Sequence, residues 1–118
     1  MSASEDTATI DIDPERVASW LQEDASVQLI DVREDYERAA GYIAGSRHIQ
    51  LASLPAEAAT LQRSRPVIAY CRLGSRSDMA AQALRAAGFE AYSMSGGLVR
   101  WAHEGRALVP EGGHVADH

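Results

Sequence analysis

The sequence predicts an α/β fold, with an open, doubly wound, mostly parallel sheet and helices on both faces. Short apolar runs alternate with helical patterns along the 118 residues, which favours this architecture. Residues 66–70 (PVIAY) are continuously apolar, as expected of a central parallel strand that is buried on both faces. Folds of this class bind ligands beyond the carboxyl ends of their strands. Cys71 follows such an end directly.

The first helix is predicted to begin after Asp13. Asp13 is a favourable N-cap, and Pro14 suits the first helical position. Val17, Trp20 and Leu21 then recur at i, i+3 and i+4, which indicates one buried helical face.

The remaining elements are predicted in chain order from the same signals. Further strands are expected at 27–32 and 89–94, with a turn and a short extended piece at 45–51. Further helices are expected at 34–40, 55–62, 77–87 and 98–104. Gly41 and Gly88 stand where glycine commonly ends a helix.

The length fits a single domain. We expect this domain to span residues 8–110, because both ends of the chain are polar or glycine-rich. Segments 1–7 and 111–118 are predicted to be flexible termini.

The formal net charge of −6 argues against nucleic acid and acidic membranes as partners. No apolar run approaches the roughly 18 residues of a membrane span. The first residues also lack the features of a secretory signal, so a cytoplasmic location is expected. The local charge differs from the net charge, because the stretch 71–85 contains three arginines and one acid. These residues are Arg72, Arg76, Arg85 and Asp78. A small anion can be attracted there.

Cys71 is the single cysteine of the chain. An internal disulfide, a CxxC redox pair and a multi-cysteine zinc site are therefore excluded. The histidines show neither HxH nor HExxH spacing, so we expect no metal and no cofactor. The four histidines are His48, His103, His114 and His118.

The segment after the buried strand predicts a reactive thiol. A short loop containing Gly74 separates Cys71 from a helix that should begin near Ser77. Helix-start N–H groups lack intrahelical partners and carry partial positive charge, and a tight loop can add further N–H groups. Such a setting stabilises a thiolate, and Arg72 and Arg76 would add charge if they fold toward it. The alternative is an inert buried cysteine.

Three ordered segments, spanning roughly residues 10–110, make the resemblance to a known family specific. Residues 71–77 (CRLGSRS) resemble the active-site loop of rhodanese-like domains. Residues 29–34 (LIDVRE) with Glu37, followed by 41–46 (GYIAGS), resemble a second family signature. Near the end, Gly96 and Gly97 with Trp101 and Gly105 resemble its closing motif.

This resemblance implies a five-stranded rhodanese-like sheet and a single-domain sulfurtransferase of the thiosulfate type. Cys71 would carry sulfur as a persulfide from a small anionic donor to a thiol, cyanide or protein acceptor. Loop N–H groups would hold the terminal sulfur. The implied substrate-binding residues are Arg72, Leu73, Gly74, Ser75 and Arg76. The implied structural supports of the site are Asp31, Arg33 and Ser77.

The chain departs from the family pattern at several positions. GYIAGS stands where the family often has GHIPGA, and His48-Ile49-Gln50 stands where it often has NIP. Glu37 occupies a place where some two-domain sulfurtransferases have a substrate-binding arginine. That difference weakens the case for thiosulfate as the physiological donor.

Alternative functions are a non-catalytic sulfur carrier or partner-docking module, a cysteine-dependent phosphatase and an arsenate reductase. The tyrosine-phosphatase motif needs an arginine six positions after the cysteine, where this chain has Ser77. Phosphatases of the rhodanese-like fold have a loop one residue longer, so loop length favours sulfur transfer. A hydrolase dyad of Cys71 with His48 or His103 remains a weaker alternative.

Overall fold

Residues 9–117 are described by the computed structural model of the chain. They include five strands: Asp11–Ile12 (β1), Gln28–Asp31 (β2), Arg47–His48 (β3), Val67–Tyr70 (β4) and Ala91–Met94 (β5). The strand order is β1-β5-β4-β2-β3, and all four pairings are parallel. The predicted parallel five-stranded sheet is thus confirmed.

The helices connect these strands. They are Pro14–Glu23 (α1), Asp35–Ala40 (α2), Leu54–Glu57 (α3), Ser75–Ala86 (α4) and Gly97–His103 (α5). Two 3₁₀ turns, Leu51–Ser53 and Ala58–Thr60, flank α3. Within residues 9–117, no helix combines the length and the apolar character that a bilayer crossing requires.

Helices cover both faces of the sheet, as the sequence predicts. Side chains alternate along β4: Val67 and Ala69 pack in one apolar cluster, whereas Ile68 and Tyr70 pack in another. The first cluster includes Leu84 of α4, and Cys71 belongs to it. The second includes residues of α1 and α5. The sulfur therefore lies on the α4 side of the sheet.

Local signals place most of the elements correctly. Arg16 N–H donates to Asp13 Oδ1 at 2.8 Å, so Asp13 is the N-cap of α1 as predicted. Helix α4, however, begins at Ser75, two residues before the predicted start. Gly74 is its N-cap with φ +119°, a conformation that glycine tolerates best. Arg76 therefore belongs to the first helical turn.

Two other elements differ from the sequence prediction. The helix expected at 55–62 is a four-residue α-helix between 3₁₀ turns. Strand β1 was not predicted, since two residues are too few for a period-2 pattern.

The segment after α5 lies against α2. Tyr42 and Val109 exchange backbone hydrogen bonds of 2.9 and 2.8 Å, and His114 N–H donates to Ala40 O at 2.9 Å. Val115 packs against the cluster that contains Tyr70. Flexibility of segment 111–118 stays a prediction, and segment 1–7 lies outside the described residues.

Candidate active site

Cys71 stands where β4 gives way to α4. Its sulfur accepts hydrogen bonds from Gly74 N–H at 3.0 Å and from Ser77 N–H at 3.4 Å. The Ser77 hydroxyl lies 3.5 Å from the same sulfur. Both main-chain donors belong to the start of α4, where N–H groups lack intrahelical partners. This arrangement suits a negatively charged sulfur better than a neutral thiol.

The sulfur is nearly enclosed, because Cys71 is only 1% exposed. The loop that covers it is more open: Leu73 is 57% exposed, and Ser75 is exposed as well. The exposed side chains of the loop thus flank a sulfur that is itself enclosed.

Ser77 and Ser93 form a buried pair of hydroxyls behind the sulfur. Their Oγ atoms are 2.7 Å apart, and both residues are 0% exposed. Ser77 Oγ also donates to Gly74 O at 3.1 Å. Sequence reasoning named Ser77 but missed Ser93. The feature of the sequence that could have indicated Ser93 is its position as a serine within a strand that is otherwise apolar and buried.

Arg76 is paired with a carboxylate, and its side chain is only partly exposed. Its Nη1 and Nη2 donate to Glu37 Oε1 and Oε2 at 2.7 and 2.9 Å. Glu37 is fully buried. The hydrogen bond with Glu37 raises the pKa of Arg76 above its usual value. The positive charge that the sequence places near the sulfur is thus shared with an anion.

Arg72 points toward the C-terminal segment. Its Nε donates to Ala116 O at 3.2 Å, and its Nη2 lies 3.5 Å from Asp117 Oδ1. Both loop arginines therefore have partners on other parts of the chain.

Asp31 and Arg33 form a second buried ion pair. Arg33 Nε and Nη2 each donate to the Asp31 carboxylate at 2.8 Å, and both side chains are fully buried. Arg33 Nη2 also donates to Gly41 O at 2.8 Å, which joins the end of β2 to the end of α2. Burial is the largest single influence and lowers the pKa of Arg33, but the hydrogen bond and charge of Asp31 together with the charges of Tyr70 and Glu37 outweigh it, so the pKa is raised.

Tyr70 links this ion pair to the residue before the cysteine. Its hydroxyl donates to Asp31 Oδ2 at 3.3 Å and accepts from Ile43 N–H at 3.1 Å. Burial and the neighbouring Asp31 charge raise the pKa of Tyr70 to about 12. Asp31 and Arg33 are thus connected to the cysteine only through Tyr70, the residue that precedes it.

The glycine pair after β5 lets α5 approach the cysteine backbone. Leu98 N–H donates to Cys71 O at 2.8 Å, and Val99 N–H donates to Arg72 O at 3.1 Å. A Cβ on Gly97 would lie 2.3 Å from Arg72 O. The carbonyls of the active loop therefore cap α5, and only glycine fits at this crossing.

His48, one of the two histidines of the hydrolase alternative, has another partner. His48 Nε2 lies 2.7 Å from Arg33 O, whereas the sulfur of Cys71 bonds to Gly74 and Ser77. This geometry gives no support to a Cys71–His48 dyad.

Known proteins similar to this chain include proteins named sulfurtransferases. The Bacillus subtilis protein named putative sulfurtransferase YtwF is 34% identical over 84 residues, covering 71% of this chain and 82% of its own. Thiosulfate sulfurtransferase GlpE of Stutzerimonas stutzeri is 39% identical over 80 residues, covering 67% and 73%. A rhodanese-related protein from Thermoplasma volcanium has a TM-score of 0.78 at 27% identity, covering 84% and 96%. The family model described as "Rhodanese-like domain" matches residues 13–104. The chain therefore belongs to the rhodanese-like domain family.

Proposed function

We propose that the chain is a sulfurtransferase in which Cys71 accepts a sulfane sulfur from a donor such as thiosulfate and passes it to a thiophilic acceptor. One observation carries the proposal: two main-chain N–H groups converge on Cys71 Sγ, at 3.0 and 3.4 Å, at the start of α4. The resemblance to proteins named sulfurtransferases supports it.

The first half-reaction transfers one sulfur atom. The Cys71 thiolate attacks the outer sulfur of thiosulfate and forms a new S–S bond. The old S–S bond breaks, and sulfite leaves with its electron pair. The negative charge that was on the thiolate is then on the terminal sulfur of the persulfide.

The second half-reaction restores the thiolate. A nucleophile such as cyanide or a thiolate attacks the terminal sulfur, and the S–S bond breaks with its electrons returning to Cys71. Cyanide leaves as thiocyanate, and a thiolate leaves as a new persulfide. Alternation of the two half-reactions predicts ping-pong kinetics.

The chain's own groups stabilise the charged sulfur in both half-reactions. N–H groups of segment 72–77 are the donors that can hold the terminal sulfur, in the manner of an oxyanion hole. Because Glu37 neutralises Arg76, the main chain carries more of this role than the arginines do. Arg72, Leu73 and Ser75 then form the rim that meets the donor.

An intact-mass experiment tests the proposal. The reduced protein is incubated with thiosulfate, glutathione persulfide or mercaptopyruvate, and then weighed. We expect a gain of one sulfur, about 32 Da, that Cys71→Ala abolishes. Ser64→Ala, at a position outside the site, is the matched control and should gain the same mass.

Other outcomes would favour the alternatives. No gain in mass with any donor would overturn the proposed sulfurtransferase activity and favour the partner-docking module. Phosphate release from an aryl phosphate, lost in Cys71→Ala, would favour the phosphatase instead.

A further inference from the structure

Ser93 is a polar residue at an apolar position of the sheet. Strand β5 is buried along its whole length, and Ser93 is 0% exposed. The parallel register pairs Ser93 with Ala69, two residues before Cys71. Because side chains alternate along a strand, Ala69 and Cys71 face the same side. The hydroxyl of Ser93 lies on this side and reaches the start of α4.

The Ser93 hydroxyl has one clear partner. Its Oγ lies 2.7 Å from Ser77 Oγ, which is the ideal length for an O–H···O hydrogen bond. A buried hydroxyl proton requires an acceptor, and Ser77 Oγ is the acceptor that the described residues place beside it. Ser93 is therefore assigned as the donor and Ser77 as the acceptor.

This direction leaves the Ser77 proton for one of two acceptors. Gly74 O lies at 3.1 Å and Cys71 Sγ at 3.5 Å. When the sulfur is a thiol, its own proton can point to Ser77 Oγ, and Ser77 donates to Gly74 O. When the sulfur is an anion it has no proton, and the Ser77 proton can turn toward it.

We propose that Ser93 is a positioning residue for Cys71, whose hydroxyl donates to Ser77 Oγ and thereby makes Ser77 a donor to the anionic sulfur. If Ser77 donated its single hydroxyl proton to Ser93 instead, it would have none left for a hydrogen bond to the sulfur. A hydroxyl that accepts one hydrogen bond is also a stronger donor of the next. The proposal rests on the proposed sulfur chemistry at Cys71.

The charged groups around this end of α4 include Arg76 with its partner Glu37, Asp78, and Asp11 of the neighbouring strand β1, which is the register partner of Ser93 and interacts with Asp78. None of them is bonded to Ser93, whose hydroxyl meets Ser77. A change at Ser93 therefore acts through the hydroxyl pair and leaves the ion pair in place.

The test compares Ser93→Thr with Ser93→Val, two variants of the same shape that differ in the hydroxyl. Each is alkylated with iodoacetamide at pH 6 and at pH 9.5, and the rate at Cys71 is followed by intact mass. We expect Ser93→Val to react about threefold more slowly than Ser93→Thr at pH 6, and both to react alike at pH 9.5. Equal rates at pH 6 would overturn the proposal.

A double-mutant cycle separates positioning from general loosening of the core. Ser77→Ala should slow alkylation at pH 6 by about tenfold, because it removes a hydrogen bond to a charged group. Adding Ser93→Val should then cause no further loss, whereas independent, additive losses would overturn the proposal. Ser46→Ala, which removes another buried hydroxyl bonded to a hydroxyl, is the control and should react at the wild-type rate.

The same proteins distinguish failure of the two proposals. If Ser93→Thr and Ser93→Val differ at pH 6 but wild type gains no sulfur from any donor, positioning of the thiol stands and the sulfurtransferase fails. If wild type gains 32 Da and the two variants react alike, the role of Ser93 alone fails.

Discussion

Arg76 and Glu37 form a two-fold hydrogen-bonded ion pair, with N–O distances of 2.7 and 2.9 Å. The pair connects the first turn of α4 to α2, and the Glu37 end is fully buried. The loop arginine is therefore part of the framework that holds the cysteine turn.

Glu37→Ala should destabilise the protein. Removing one partner of a buried pair leaves the other uncompensated, so we expect a loss of about 3 kcal/mol in the free energy of unfolding. Sulfur loading of Cys71 should also slow, since the start of α4 loses its anchor. Urea unfolding and timed intact-mass measurements check both effects. Asp35→Ala removes an exposed acid of the same helix, and an equal loss there would contradict the assignment.

Gly97→Ala should destabilise the protein and disturb the cysteine loop more than other glycine substitutions do. Its Cβ would lie 2.3 Å from Arg72 O and 2.7 Å from Cys71 O, at a φ of +60°. Strain and displacement together should cost about 3 kcal/mol or more, and persulfide formation should fall at least tenfold. Gly105→Ala has φ +86° with open space around its Cβ, so its cost should be about 1 kcal/mol. Similar effects of the two substitutions would contradict the close approach.

The fold was predictable where local chemistry and packing agree. Residues 67–70 of the apolar run are buried on both sides of the sheet, so their apolar character marks the strand without ambiguity. Asp13 caps α1 by a contact three residues away, which depends only on the local sequence. Strand β1 exists because β5 offers it an edge. No local pattern of two residues contains that information.

The candidate site was predictable at its centre but not at its periphery. Cys71, Gly74 and Ser77 are close in sequence, and the strand–loop–helix order brings them together. Arg76 lies 39 positions from Glu37, and Arg72 lies 44 from Ala116. Without the sheet topology, nothing indicates that either arginine has a partner, so the sequence predicts only that both attract the anionic donor.

Stability should fall in alkaline solution as Tyr70 is forced to ionise. Burial raises its pKa to about 12 in the folded state, against about 10 in the unfolded chain. The folded protein therefore binds more protons between these values, and the neutral tyrosine's contribution, roughly 2–3 kcal/mol, is complete below pH 10 and lost as pH approaches 12. Urea unfolding at pH 9, 10 and 11 should show the decline.

Tyr70→Phe tests the origin of that decline. Its free energy of unfolding should be lower at pH 8, because Ile43 N–H and Asp31 lose a partner, but should fall less steeply above pH 10. Tyr36→Phe replaces a tyrosine that is 54% exposed and should follow the wild-type curve. Equal slopes for Tyr70→Phe and wild type would assign the decline to other groups.

The C-terminal segment that follows α5, from residue 114 onward, should shield Arg72 from reagents. A variant without residues 114–118 loses the packing of Val115, the His114–Ala40 hydrogen bond and the bond from Arg72 Nε to Ala116 O. We expect faster modification of Arg72 by phenylglyoxal, measured by peptide mass mapping, and a stability loss of about 1–2 kcal/mol.

Asp117→Asn is the milder comparison for that variant. The Asp117 side chain is 96% exposed, so its ion pair should contribute less than about 1 kcal/mol. Unchanged labelling of Arg72 in the shortened variant would show that the segment does not cover the arginine in solution.

The bond between Arg72 and Ala116 also has a practical meaning for anyone who prepares this protein. Arg72 directly follows the cysteine, and its side chain reaches the carbonyl of Ala116. A label attached to residue 116 therefore lies beside the loop that holds the sulfur. Kinetic constants measured with such a label describe an altered rim, whereas an environment-sensitive dye at this position reports on movements of the loop.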